Sequence, residues 1–72
     1  MDESTLFSER LNTVMKERGL TPGMVAIKTG ISERMIRNYR KGANTPGLYS
    51  LLILAKALDV DMNWLGGFEE DK

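Results

Sequence analysis

The sequence predicts a compact all-α domain of five short helices. Apolar residues recur at intervals of three and four through each segment, the spacing that lines one face of a helix. Gly19, Gly30, Gly42 and the Gly66-Gly67 pair punctuate those segments, while Thr21, Ser32 and Asp61 stand where a helix start wants a side-chain acceptor. Seventy-two residues permit a single domain, and so short a chain buries only about 60% of its unfolded surface. With no cysteine and no cluster of metal-ligating residues, helix packing has to stabilise the fold unaided.

Residues 1–4 are polar and expected to be loose. The first helix is predicted from about Thr5 to Arg18, with Phe7, Leu11 and Val14 as its inner stripe; Gly19 ends it and Leu20 tucks into the core. Thr21 caps the second helix and Pro22 takes its first position, where no backbone N–H is needed. Val25, Ala26 and Thr29 face inward, and Gly30 stops the helix, because a left-handed residue costs glycine nothing. Ser32 caps the third helix. Its buried stripe is Met35, Ile36 and Tyr39, which leaves Glu33, Arg34, Arg37, Asn38 and Lys41 on the outer face. Gly42 ends that helix, and the loop GANTPG leads to a fourth. There Leu48, Leu51, Leu52, Ala55 and Leu58 share the core face, and Tyr49 and Ile53 project from nearly the opposite side. Asp61 caps a short fifth helix, Met62 to Leu65, whose Trp64 and Leu65 close the open end of the core. The domain therefore spans residues 5–66, and residues 67–72 form an acidic tail or the start of a linker.

Formal net charge is zero, yet its distribution is uneven. Between Lys28 and Lys41 five cations (Lys28, Arg34, Arg37, Arg40, Lys41) face one anion, Glu33, while Asp2, Glu3, Glu69, Glu70 and Asp71 collect at the ends. A neutral molecule with one basic face is steered onto a polyanion in one orientation. No apolar run is long enough to span a bilayer, and the N-terminal MDESTLF lacks the features of a signal peptide. With no cysteine to oxidise, a cytoplasmic location is expected. An enzyme is not expected: there is no histidine, no cysteine, no phosphate-binding glycine loop and no convergent pair of acids. No cofactor and no small-molecule ligand is implied.

Two short helices joined by Gly30-Ile31-Ser32, the second with a cationic outer face, form a device for reading DNA edges. Arg34 and Arg37 carry the planar fork that bonds guanine O6 and N7 together, and Asn38 can make the analogous pair to adenine. Glu33 has two readings. Its carboxylate can accept from a cytosine amine, or it can simply sit at a helix N-terminus where negative charge is stabilised. Arg40, Lys41 and Asn44 suit phosphate contact. Thr21, Gly23 and Ser32, at the starts of the two helices, complete the backbone-contacting set, since N-terminal N–H groups favour phosphate.

The run TPGMVAIKTGISERMIRNYRKGANTP resembles the Cro and phage-repressor type of helix-turn-helix, the XRE family, with Ala26, Gly30, Ile31, Ser32, Ile36, Tyr39, Gly42 and Pro46 where that family's pattern wants them. The likeness extends over roughly residues 6–65, through ERLNTVMKERGL and LLILAKALDVDMNWL. It implies a five-helix, lambda-repressor-like domain with helices two and three as the helix-turn-helix. By the same resemblance the partner is a double-stranded DNA operator and the role that of a transcriptional regulator, a phage-type repressor. A homodimer seam at Tyr49 and Ile53 fits such two-fold readers; the alternative is that the pair covers a neighbouring helix or stays exposed.

This chain departs from the family's pattern in three places. Arg40 stands where a glutamate commonly pairs with the arginine at position 10. Arg10 is then expected either to share an anion with Arg40 or to pair with Glu9, Glu17 or Asp59. Pro22-Gly23 replaces the usual glutamine, leaving either backbone N–H groups for a phosphate or merely a sound helix start. Met24 and Ile27 replace polar residues, as exposed apolar groups, an extension of the core or a small contact surface. The rival function is a protein-interaction module on the same fold, such as an antitoxin or a repressor-binding partner.

Overall fold

The computed structural model describes residues 3–68, with side chains from Leu6 onward. Five helices follow one another: α1 (Glu3–Glu17), α2 (Pro22–Thr29), α3 (Glu33–Lys41), α4 (Leu48–Leu58) and α5 (Met62–Leu65). The all-α, five-helix architecture read from the sequence is the one observed. The loose terminus expected at residues 1–4 falls partly outside the described residues, as does most of the acidic segment 67–72; α1 is already helical at Glu3.

The helix boundaries follow from capping chemistry. Thr21 Oγ1 accepts from the Met24 N–H, Ser32 Oγ from the Met35 N–H, and Asp61 Oδ1 from the N–H groups of Asn63 and Trp64. Each supplies an acceptor to a donor that the helix cannot satisfy internally, typically a contribution of about 1 kcal/mol. Gly30 ends α2 with φ 78°, and its N–H donates to the Ala26 carbonyl. The C-cap of α4 is Asp59, a non-glycine residue at φ 55°.

The core gathers Phe7, Leu11, Val14 and Met15 from α1, Val25 from α2, Ile36 and Tyr39 from α3, four residues of α4 and Leu65 from α5. In packing, α1 lies against α3 and α5, while α2 bridges α3 and α4. Phe7 and Tyr39 meet edge to face, with centroids 5.7 Å apart and planes at 82°. Leu20, Ile31, Met35 and Trp64 are partly buried against this cluster, and Ala26 and Thr29 are half-buried.

The phase of α4 differs from the predicted one. Leu48 is 73% exposed and Leu52 half-buried, whereas Leu54, absent from the predicted stripe, is wholly inside with Leu51, Ala55 and Leu58. The helix is apolar on every side, LYSLLILAKAL, so spacing alone fits more than one inward face.

Candidate nucleic-acid interface

α3 is held from beneath and from both ends. Ile36 and Tyr39 anchor its inner face in the core. At its start, the Gly30-Ile31-Ser32 turn is fixed by Thr29, whose hydroxyl donates to the Val25 carbonyl at 2.8 Å and accepts from the Ile31 N–H at 3.1 Å. At its end, α1 supplies a clamp. Arg40 Nε donates to Asn12 Oδ1 at 2.6 Å, and Asn12 Nδ2 donates back to the Arg40 carbonyl at 3.0 Å. A short helix gains little stability from its own hydrogen bonds, so these tertiary contacts set its orientation.

The outward side chains are those the periodicity assigned. Arg34, Arg37 and Lys41 are exposed; Glu33, Asn38 and Arg40 are half-buried. Arg37 pairs through Nη2 with Glu33 Oε2 across one turn of the helix. The Glu33 carboxylate also lies beside the first turn of α2, where a β-carbon on Gly23 would stand 3.3 Å from Oε1. Asn44 and Thr45 are exposed on the following loop, and Thr21 and Ser32 at the two helix starts are likewise exposed. A hollow of about 350 Å³ is lined by Asn12, Pro22, Arg37, Arg40 and Lys41. Three of the cations assigned to the DNA face thus surround one depression beside the start of α2.

Several expectations change. Arg10 has contacts that the spacing did not suggest: it is buried, its Nη1 donates to the Trp64 carbonyl, and its guanidinium lies 5.0 Å from the centre of the Trp64 ring. Arg18 Nη2 donates to the Asp59 backbone carbonyl at 3.5 Å. Arg40 is drawn to Asn12. Ile27 and Met24 do not extend the core, being 87% and 47% exposed. Tyr49 is exposed as expected, but Ile53 is half-buried, and the exposed apolar neighbour of Tyr49 is Leu48.

Asn12 was not anticipated. Its signal in the sequence is faint: asparagine is a poor interior helix residue, and one placed beside the core residue Leu11 needs a bonding partner outside its own helix.

A helical pair whose second member is anchored by two core residues and lined outside by arginines defines a domain built to present that helix to a large anionic partner. The comparisons give the class its name. The helix-turn-helix family model matches residues 11–65, and the chain belongs to that family, of the XRE type. A relative from Bacillus subtilis (strain 168), named as the uncharacterized HTH-type transcriptional regulator YobD, is 30% identical over 66 residues. The match covers 92% of this chain and 59% of the relative, so the chain spans little more than half of that protein's length. No solved structure matches significantly. Among the described residues no helix is long and apolar enough to cross a membrane.

Proposed function

We propose that the chain is a sequence-specific reader of double-stranded DNA that inserts α3 into the major groove and acts as a repressor of the phage type. The observation that carries this reading is the exposure of Arg34, Arg37 and Lys41 along one side of a helix whose other side is locked into the core by Ile36 and Tyr39. In it, Arg34 and Arg37 contact guanine, Asn38 contacts adenine or a phosphate, and Glu33 lies on the same base-facing ridge. Thr21, Gly23, Ser32, Arg40, Lys41 and Asn44 contact the sugar-phosphate chain, with the hollow beside Pro22 offering room for a phosphate among three cations. The reading needs no cofactor and fits a cytoplasmic protein acting on an operator.

The test is a mobility shift with random duplex at low and moderate salt, followed by selection from random sequences. Binding that weakens steeply with salt and a recovered consensus are expected. No affinity at any salt would overturn the reading in favour of a protein-binding module, for which exposed Met24, Ile27, Leu48 and Tyr49 supply apolar surface.

A homodimer joined near Tyr49, with Ile53 at its margin, extends the proposal. It requires selected sites to contain two half-sites about 34–36 Å apart, or a multiple of that spacing. Sedimentation showing only monomer on a two-half-site duplex would remove it.

A further inference from the structure

We propose that Glu33 is a positioning residue for Arg37: it fixes which base pair the Arg37 guanidinium reads, and the absence of a side chain at Gly23 keeps the space in which it does so. This rests on α3 entering the major groove and assigns Glu33 a role other than direct base contact.

Glu33 and Arg37 are paired one helical turn apart while both stay substantially exposed, their side chains 44% and 57% accessible. Their pairing therefore faces the same side as the proposed groove contact. Oε2 holds Arg37, and Oε1 lies against Gly23 of α2. The carboxylate therefore sits between the two helices of the reading unit, bonded to Arg37 of α3 and with little spare room against the first turn of α2. Arginine has five N–H donors, and engagement of Nη2 by one carboxylate oxygen leaves enough of the fork to bond guanine O6 and N7. Arg34 has no such partner among the described residues and is exposed. The two arginines thus differ in kind. Arg37 arrives pre-set, and its charge is already balanced, so its contribution lies in geometry more than in attraction to phosphate. A carboxylate engaged by a guanidinium also has less capacity to accept from a cytosine amine.

The experiment uses the full chain and the duplex recovered by selection, with each base pair changed in turn. Affinities are measured for wild type, Glu33→Gln, Arg37→Ala and the double variant. Discrimination at the base pair lost in Arg37→Ala is expected to fall about fivefold in Glu33→Gln, and Glu33→Gln is expected to add nothing once Arg37 is alanine. Gly23→Ala should weaken discrimination at that same base pair while the melting temperature holds or rises, since alanine favours a helix. A change of preference at a different base pair, persisting in the Arg37→Ala background, would make Glu33 a direct reader and overturn the proposal; so would no change at all. A wild-type chain with no sequence preference would instead overturn the groove reading beneath it.

Discussion

α3 and α4 are consecutive helices of similar length, nine and eleven residues, and both place part of their surface in the core, yet their outer faces have opposite chemistry. In α3 everything outside Met35, Ile36 and Tyr39 is polar or charged. In α4 the outside still carries Leu48 and Tyr49 at 73% and 77% exposure. The first pattern admits only one inward face, because turning the helix would bury arginines without partners, at a cost of several kcal/mol each. The second admits several, because turning it exchanges one leucine for another. Polarity on the outside is thus what specifies orientation, and α3, whose orientation matters for the proposed contact with DNA, is the helix that has it.

The sharpest way to break this comparison lies in α4. Leu54→Ala should destabilise the domain by about 2–5 kcal/mol, whereas Leu48→Ala should stay within about 0.5 kcal/mol of wild type, as read by thermal or urea unfolding. Equal costs at the two positions would return the helix to the phase first read from its sequence. In α3, Arg37→Ala should cost about 1–3 kcal/mol of binding at one base pair and leave the melting temperature nearly unchanged; equal loss on specific and random duplexes would reassign it to phosphate contact. Gly30→Val tests how α3 is aimed. A β-carbon there meets no atom within 4 Å beyond its chain neighbours, so the expected cost, about 1–2 kcal/mol, is assigned to φ 78° for an L side chain. Stability and DNA affinity should fall together; unchanged stability would mean the turn tolerates another backbone. The smallest effect is expected from Lys41→Ala, which should weaken all sequences alike and reduce the salt slope by about one unit.

The same contrast explains what was legible in the sequence. Thr21, Ser32 and Asp61 as caps, Gly30 and Gly42 as stops, and the outward set on α3 could be read because each rests on local chemistry or on an unambiguous period. Leu54 was hidden by the apolar run around it. The bonds from Arg10 to Trp64 and from Arg40 to Asn12 were hidden for another reason: they join residues 54 and 28 positions apart, and neither Trp64 nor Asn12 carries a charge that would announce the contact. The approach of Glu33 to Gly23 likewise depends on how two helices cross, which no spacing within one segment records.

The bond between Asn12 and Arg40 has a dynamic consequence. The final turn of a nine-residue helix would ordinarily fray on its own, exchanging amide hydrogens long before the rest of the domain opens. Here that turn is stitched at both backbone and side chain to the middle of α1, so it can loosen only when the opposite end of the chain's wiring lets go. Amide protection there is expected to track global opening in the wild type and to drop toward local fraying in Asn12→Ala, turning a rigid edge into a pliable one.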